Sequence, residues 1–344
     1  MRAVRMHAHG GPEVLIYEDA PQPRPGPTDV LVRVRAASIN HIDLWVRGGL
    51  PRLRLAFPHI LGADIAGVVA GAGERVSGIS IGDEVVLAPG VSCGQCQACA
   101  EGDDTLCPSY SVLGEHIPGG YAEYIVVPRV NVLPKPSRLS FVEAAAFPLA
   151  FLTAWNMLVT NARIRYGDRV LIWGAGSGVG SAAIQIARLF DARIIATAGA
   201  EWKMARARAL GADEVVNHTQ QNVYEEVRRM TDRRGVAIVF DHVGAATWET
   251  SLKSLARGGR LVTCGATTGP EGRTDIRYIF GRRLSIHGTW LGTKREFHDV
   301  VRLVDAGRLR PVVHTVLPLP EAAEGHRMMD RREHFGKIVL TVGD

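Results

Sequence analysis

Four cysteines within a fifteen-residue stretch form the clearest group of side chains that could carry out chemistry. Cys93, Cys96, Cys99 and Cys107 stand in CGQCQACAEGDDTLC with the spacing C-x2-C-x2-C-x7-C. Four thiolates this close in sequence can surround one tetrahedral Zn²⁺ and leave no open position, which is typical of a structural site. An iron–sulfur cluster and free thiols are the alternatives, but the run lacks the short final gap of ferredoxin motifs.

The other residues of this cysteine segment carry less chemistry. Glu101, Asp103 and Asp104 add negative charge and are interpreted as a solvated face. The fifth cysteine, Cys264, stands apart on a predicted strand, where a buried small hydrophobe is expected.

A glycine-rich loop is the second chemical signal. Residues 170–180 read VLIWGAGSGVG, so a buried strand leads into Gly174, Gly176, Ser177, Gly178, Val179 and Gly180, and a helix begins at once. Glycines allow the backbone to approach a pyrophosphate, and the helix N-terminus offers free N–H groups. The surrounding strands and helices supply the context that a lone glycine run lacks, so dinucleotide binding is predicted.

The end of the next strand indicates which dinucleotide is preferred. An acidic residue there would hydrogen-bond the ribose hydroxyls of NAD. The sequence instead has Thr197, Ala198 and Gly199, and Lys203 beyond them could reach a 2′-phosphate. NADP(H) is therefore favoured over NAD(H), with a solvated Lys203 and bound NAD as the alternative.

The order of predicted elements favours an α/β fold in two parts. Short strands with turn signals come first, at 14–19, 30–37, 65–70 and 84–87, and indicate a barrel-like β domain. From about residue 150, strands alternate with helices, which indicates βαβ units and a doubly wound parallel sheet. The predicted strands are 170–173, 193–197, 236–240, 260–264 and 284–288, with helices at 178–190 and 201–210. The tail, with strands at 312–317 and 337–342, is expected to return to the first domain.

Bulk properties exclude several classes of function. The 344 residues suit two domains, and 46% hydrophobic with 22% charged residues is an ordinary globular mix. The net charge of +5 is mild, and no basic run is interleaved with aromatic residues, so nucleic acid is not expected as a partner. No apolar run reaches the ~18 residues of a membrane span, and we expect a cytoplasmic protein without membrane partners.

Several motifs together resemble the medium-chain dehydrogenase/reductase family, which includes zinc-type alcohol dehydrogenases and quinone oxidoreductases. They are VLVRVRAASIN, LGADIAGVV, GDEVV, the cysteine segment, GGYAEY, the glycine loop and FGKIVL. The resemblance implies a GroES-like catalytic domain from residues 1–150 and 291–344, with a Rossmann domain at 151–290. It also implies an active site in the cleft, and a homodimer or homotetramer paired through an edge strand at 284–288.

The sequence departs from this family at its catalytic zinc. Asn40, Ala63 and Leu149 stand where the alcohol dehydrogenases have their three ligands, and at most the Asn40 amide could bind a metal weakly. Ile42 replaces the hydroxyl residue that starts their proton relay. The pair Asn40 and Asp43 resembles the zinc-free quinone oxidoreductases and enone reductases.

The resemblance and the missing ligands suggest a reductase of quinones or activated C=C bonds. Asn40 is the candidate to hydrogen-bond the acceptor oxygen, and Asp43 is expected to orient Asn40 or serve as a turn carboxylate. Trp45, Tyr121 and Trp290 are candidates to line the pocket or to be plain core. His116 is a possible proton donor, with a solvated loop histidine favoured, and Glu115 is expected on the same loop.

Further cofactor contacts are implied by the resemblance alone. His41 is expected to face the cofactor phosphates. The remaining positions that the family pattern assigns to the dinucleotide are Thr153, Gly265, Ala266 and Lys337.

Two other functions remain open from the sequence. The first is an alcohol dehydrogenase whose catalytic zinc has moved to His41, His59 and Asp64, which would give two zincs per chain. The second is a nucleotide-binding protein without turnover. In each case the partner is a small molecule, whose identity the sequence does not reveal.

We expect one tightly held zinc per chain, bound by the cysteine quartet. Cys96→Ser removes one of four ligands from a closed site, so the variant should lose zinc and unfold more easily. Metal analysis and thermal unfolding measure both effects, with Cys264→Ser as the control. Zinc-free wild-type protein, with a Cys96 variant of unchanged stability, would rule out the structural site.

Overall fold

The computed structural model describes residues 1–51 and 53–343, which divide into two compact units. Unit 1 comprises 1–149 with 293–344, and unit 2 comprises 150–292. The sequence placed the corresponding limits at 150 and 290. The predicted α/β fold class is confirmed, because unit 2 contains a parallel Rossmann sheet and unit 1 contains a mostly antiparallel β-sheet.

Unit 2 contains a six-stranded sheet in which every neighbouring pair is parallel, with the order β12-β11-β10-β13-β14-β15. This is the strand order of a dinucleotide-binding Rossmann sheet. The elements are β10 (Arg169–Ile172), α5 (Gly178–Leu189), β11 (Arg193–Ala198), α6 (Glu201–Ala209), β12 (Glu214–Asn217), α7 (Val223–Met230), β13 (Val236–Asp241), α8 (Trp248–Ser254), β14 (Leu255–Thr263), α9 (Ile276–Arg282) and β15 (Ser285–Gly288).

Unit 1 is built around a seven-stranded sheet with the path β16-β17-β3-β4-β5-β9, to which β8 adds by pairing with β3. Its pairs are antiparallel except for β16 with β17. The strands of unit 1 are β1 (Arg2–Arg5), β2 (Ile16–Asp19), β3 (Asp29–Ser38), β4 (Asp64–Ala72), β5 (Glu84–Leu87), β6 (Gly90–Val91), β7 (Ser111–Val112), β8 (Tyr124–Pro128), β9 (Val132–Pro134), β16 (Val313–Pro318) and β17 (Lys337–Thr341).

The helices of unit 1 are short and lie between these strands. They are α1 (His41–Gly48), α2 (Gln97–Ala100), α3 (Phe141–Ala144), α10 (Lys294–Asp305) and α11 (Ala322–Asp330), with 3₁₀ turns at Pro12–Val14, Asp104–Leu106, Arg129–Asn131 and Leu319–Glu321. Helix α4 (Pro148–Trp155) begins in unit 1 and continues in unit 2 into a π-helical turn, Asn156–Asn161.

One helical run, Phe141–Asn161, is long and apolar enough to cross a membrane by length and composition. However, 72% of its most apolar window is buried inside the protein. A core helix has this property, and the run therefore does not indicate a membrane span.

Strand limits differ from the sequence-based expectations in a few places. The first predicted strand, 14–19, begins only at Ile16, because Pro12–Val14 forms a 3₁₀ turn. Strand β14 begins at Leu255 and ends at Thr263, so Cys264 lies beyond it and is only half-buried, contrary to the prediction of a buried strand residue. Helix α1, which carries Asp43, was not predicted.

Candidate active site and metal centre

The cysteine quartet of unit 1 is assembled as a metal site requires. The four Sγ atoms lie within 4.8 Å of one another, with Cys93 to Cys99 at 3.9 Å and Cys96 to Cys99 at 3.5 Å. Tetrahedral zinc with Zn–S bonds near 2.3 Å separates its sulfurs by about 3.8 Å. The quartet therefore fits one Zn²⁺.

Local backbone groups prepare one thiol of this quartet, Cys93, for metal binding. Hydrogen bonds from the amides of Gln95 and Cys96 lower the pKa of Cys93 to about 6, so this thiol is deprotonated near neutral pH. Because the thiolate is the metal ligand, Cys93 can bind without first losing a proton.

Asp104 joins the cysteine segment to helix α10 within unit 1. Its carboxylate accepts hydrogen bonds from the Lys294 backbone N (3.0 Å) and ammonium (2.7 Å), and the ammonium also donates to Ser92 Oγ (2.7 Å). The expectation of a solvated face is wrong for Asp104, which is buried. The ammonium that holds this carboxylate is far away in the sequence, on α10, so the spacing of residues within the cysteine segment could not reveal it.

The candidate residue Asn40 is part of a buried polar cluster. Its Oδ1 accepts from the Lys337 ammonium, and its Nδ2 donates to Asp64 Oδ2 at 2.8 Å and more weakly to the Ser38 carbonyl at 3.5 Å. Asp64 also accepts from Lys337 (2.9 Å), Ser38 Oγ (3.0 Å) and the Leu149 amide (2.7 Å). All of these groups belong to unit 1.

Two of the three positions that the resemblance assigns to a catalytic zinc, Asn40 and Leu149, take part in this cluster. Ala63 has no ligand atom, and only the backbone amide of Leu149 takes part, as a donor to Asp64. The one ligand-capable atom of Asn40 is bound by an ammonium, which would repel a divalent cation. Lys337, assigned by resemblance to the cofactor, has its ammonium against Asn40 and Asp64 in unit 1; its cofactor role stays a prediction.

Asp43 fixes the backbone conformation at Asn40. Its carboxylate accepts from the Asn40 amide (2.8 Å), the Gly62 amide (3.1 Å) and the Tyr121 hydroxyl (3.0 Å). Burial raises the pKa of Asp43 to about 6, in spite of these bonds. The geometry agrees with the expected orienting role and also with a turn carboxylate, since Asp43 lies in the first turn of α1.

Tyr121 is fully buried behind Asp43 and is a core residue. Its hydroxyl lies 3.4 Å from His326 Nε2, and His326 Nδ1 lies 3.0 Å from the Arg47 guanidinium. Burial lowers the pKa of His326 to about 3, so this imidazole is neutral. The chain of hydrogen bonds ends at an arginine that cannot take up a proton, and it therefore holds Asp43 in place rather than relaying protons.

Glu115, which the sequence placed on the loop of His116 without a role, is a buried acid. The residue is 3% exposed, and its Oε2 has no hydrogen-bond partner in the described part of the chain. His116 Nδ1 lies 3.5 Å away but accepts from the Val112 amide, and His116 is exposed, as favoured from the sequence. Burial, aided by the charge of Asp43, raises the pKa of Glu115 to about 7.

The glycine loop of unit 2 has the geometry of a phosphate-binding turn. Gly174 has φ +62°, and a Cβ on Gly180 would lie 2.3 Å from the Gly174 carbonyl oxygen. Ser177 caps α5: its hydroxyl accepts from the Gly180 amide (2.9 Å) and lies 2.9 Å from the Gly174 carbonyl. The first two helical amides, of Gly178 and Val179, have no intrahelical acceptor and can bind an anion.

Thr197 ties the next strand to this loop. Its Oγ1 accepts from the Gly174 amide (3.0 Å), and its carbonyl accepts from the Ala175 amide (2.9 Å). Beyond it, Gly199 packs close to the His218 ring. The Lys203 ammonium lies 5.2 Å from the centre of the Trp202 ring on helix α6.

The remaining cofactor candidates divide between the units. Gly265 and Ala266 follow the carboxyl end of β14, at the same sheet edge as Gly174 and Thr197, and Thr153 is buried in α4. His41 belongs to unit 1, where it is exposed and its ring lies 5.2 Å from that of Trp45 in an edge-to-face arrangement. The cofactor roles of all these residues stay predictions.

The displaced zinc set suggested by the sequence is not brought together. Within residues 1–51 and 53–343, the cysteine quartet is the only cluster of three or more potential metal-binding side chains. His59 Nε2 lies 3.1 Å from the Gly114 carbonyl, and Asp64 is occupied by the donors described above.

Comparison with known proteins agrees with this arrangement. Residues 26–137 match the model of the alcohol dehydrogenase GroES-like domain, and residues 178–306 match that of the zinc-binding dehydrogenase. The chain is 31% identical to a quinone oxidoreductase of Sus scrofa over 350 residues, covering 99% of this chain and 98% of that protein.

Solved structures of similar proteins extend the comparison. A crystal structure of an NAD-dependent alcohol dehydrogenase shares 54% identity, with TM-score 0.97 and complete coverage of both chains. A crotonyl-CoA carboxylase/reductase in complex with NADP shares 27% identity, with TM-score 0.90 and coverage of 99% of this chain and 94% of that chain. The chain therefore belongs to the medium-chain dehydrogenase/reductase family and is an NAD(P)-dependent oxidoreductase.

Proposed function

We propose that this enzyme reduces quinones or activated C=C bonds, such as those of enones and enals, without a catalytic metal. The observation that carries the proposal is the Lys337–Asp64–Asn40 cluster, in which an ammonium and its partners bind two of the three positions assigned to a catalytic zinc. Relatives described as a quinone oxidoreductase and a crotonyl-CoA carboxylase/reductase support this substrate class.

Conjugated acceptors suit such a site because they spread added charge over several atoms. A bound reduced nicotinamide supplies the hydride. The protein must then hold the acceptor, stabilise its oxygen and provide a proton. We propose that Asn40 Nδ2 donates to the acceptor oxygen in place of its weak 3.5 Å contact to Ser38. The ammonium on Asn40 Oδ1 polarises the amide and strengthens this donor.

We propose Glu115 as the proton source. It is buried, carries an oxygen without a partner, and lies within the electrostatic influence of Asp43, which binds the Asn40 backbone. Hydride addition to one carbon of an enone leaves an enolate, whose electron pair takes the Glu115 proton at the adjacent carbon. The resulting carboxylate regains a proton from solvent, to which the neighbouring His116 is exposed.

NADP(H) is the proposed cofactor, with NAD(H) as the alternative. Residues 197–200 at the end of β11 read TAGA and include no acidic side chain; Glu201 comes only afterwards, and it shares the first turn of α6 with Lys203. The relative bound to NADP supports this preference, whereas the relative described as NAD-dependent favours the alternative.

The assembly is proposed to be a homodimer or homotetramer in the cytoplasm. Within residues 1–51 and 53–343, strand β15 has a sheet partner on one side only, and Ile286 on this strand is exposed. Exposed Phe280 and Trp290 lie just before and after it in sequence. An apolar edge of this kind is suited to pairing with a second copy.

Asn40→Ala should lower kcat/KM for an enone by on the order of 10- to 1,000-fold, as expected for loss of an oxyanion donor. Steady-state kinetics with NADPH measure the effect, and Asn222→Ala, at the N-cap of α7, is the matched control. An unchanged kcat/KM in a correctly folded Asn40 variant would contradict the assignment.

The activity of the wild type should fall as pH rises through about 7, where Glu115 loses its proton. Glu115→Gln cannot donate a proton and should lower kcat while removing this pH dependence. The exposed Glu321→Gln variant is the control. If Glu115→Gln keeps both the wild-type kcat and the fall near pH 7, another group supplies the proton.

Stability provides an independent measurement on the same variant. A carboxyl whose folded pKa is raised contributes stability below its unfolded pKa, about 4.5, and loses it as pH rises through about 7. Glu115→Gln should therefore gain stability relative to wild type between pH 4.5 and 8, by on the order of 3 kcal/mol. Chemical denaturation at several pH values measures this difference.

Lys203→Ala should weaken NADPH binding more than NADH binding, because only NADPH carries the 2′-phosphate. Titration of both cofactors at equal ionic strength measures the two affinities, with Arg208→Ala on the same helix as the control. Tighter binding of NADH than NADPH by the wild type would overturn the preference.

A further inference from the structure

A small basic cavity lies in unit 2, away from the glycine loop. It has a volume of about 150 Å³ and is bordered by four cationic side chains, Arg228, Arg233, Lys253 and Arg282. Gly235 and Ser254, which also line it, immediately precede β13 and β14. Strands β10, β13 and β14 are parallel, and the glycine loop follows the carboxyl end of β10. The cavity therefore lies at the opposite, amino-terminal ends of these strands.

Positive charge dominates this cavity. Lys253 pairs with Glu249, but Arg228, Arg233 and Arg282 form no ion pair within the described residues. Arg228 donates to the Tyr224 hydroxyl (3.0 Å), and Arg282 donates to the Lys253 carbonyl (3.3 Å). In the described part of the chain, the four cationic side chains are therefore balanced by a single carboxylate, that of Glu249.

Helix geometry accounts for three of these cations but not the fourth. Arg228, Lys253 and Arg282 lie in the last turns of α7, α8 and α9, where positive charge offsets the helix dipole. Arg233 lies outside any helix, and its guanidinium has no partner in the part of the chain that the structure describes.

The backbone at Arg233 is held in an unfavourable conformation. Asp232 and Arg233 have φ of 48° and 64°, which non-glycine residues seldom adopt. The turn is fixed by hydrogen bonds from the Arg233 amide to the Arg228 carbonyl (2.8 Å) and from the Gly235 amide to Thr231 Oγ1 (3.0 Å). Such local strain is often found at binding sites.

A buried hydroxyl on the cavity wall points to a polar ligand. Ser254 is 1% exposed, and its Oγ has no hydrogen-bond partner in the described residues. An unpaired buried hydroxyl costs free energy. Rotation of the Ser254 side chain toward the cavity, whose wall this residue helps to form, would let the hydroxyl bond an oxygen atom of a bound anion.

We propose that this cavity binds a phosphate-class oxyanion, either free phosphate or the terminal phosphate of a small phosphomonoester. The volume of the cavity equals that of about five water molecules at ~30 Å³ each, so a tetrahedral oxyanion can be accommodated. Guanidinium groups match phosphate oxygens in geometry and charge. The site is independent of the proposed reductase function.

Thermal unfolding of the whole chain with added phosphate tests this site. Saturating dinucleotide is included, because the glycine loop can itself bind phosphate, and sodium chloride at equal ionic strength is the reference. We expect phosphate to raise Tm in a saturable way beyond chloride. No saturable rise in the wild type would overturn the proposal.

Variants locate the binding. Arg233→Gln should weaken phosphate binding by about tenfold or more, as for loss of a charged hydrogen bond, and Arg282→Gln and Ser254→Ala should also weaken it. Arg229→Gln, on the same helix but outside the cavity, should bind phosphate as the wild type does. Unchanged binding by the folded Arg233 and Arg282 variants would place the anion elsewhere and refute the site.

A parallel titration with glycerol 3-phosphate distinguishes the two sources of the anion. A lower Kd for the ester than for inorganic phosphate supports the site as one for phosphomonoesters, and the reverse supports free phosphate. In both cases Arg233→Gln must weaken binding for the assignment to stand.

Discussion

The buried ion pair between Lys337 and Asp64 is the interaction on which the candidate active site depends. Lys337 begins β17, Asp64 begins β4, and Ser38 ends β3, which lies between these two strands. The sheet register therefore brings the three side chains to one end of neighbouring strands. Asn40 follows β3 directly and fills the remaining polar contacts.

The two side chains of this pair are almost fully buried, so each charge is stabilised mainly by the other. Removing one partner of such a pair leaves an uncompensated charge and typically costs 3–5 kcal/mol. The backbone beside it is held in turn by Asp43, through the amides of Asn40 and Gly62. Asn40 is thus fixed from its side chain and from its backbone, which suits a group that must present one hydrogen bond in a constant direction.

The structural features that depend on residues close together in the sequence were predicted well. The glycine loop, the cysteine quartet and most strands of the Rossmann sheet depend on neighbours within a few residues, and spacing alone reveals them. Helix α1 was missed because its eight residues are fewer than the window of about 11 over which helical periodicity is recognised.

Features that depend on distant partners could not be predicted. Asp64 and Lys337 are 273 residues apart in sequence, and Asp104 and Lys294 are 190 apart. Asp104 was expected to be solvated, and Asp64 was considered as a metal ligand. The residues around a charged side chain in the sequence do not show whether a buried partner will meet it in the fold. The burial of Glu115 likewise arises from tertiary packing around its loop.

The position of β17 in the sheet has a consequence for synthesis on the ribosome. Unit 2 is continuous in sequence and can fold as soon as its residues have emerged. In unit 1, β17 lies between β16 and β3, so the sheet keeps a gap until almost the whole chain has been made. During that interval residues 36–38 of β3 present an unpaired edge, because β8 covers only residues 29–33, and Asp64 has no ammonium partner. The nascent protein is therefore most open to aggregation and to chaperone binding at this strand, late in translation.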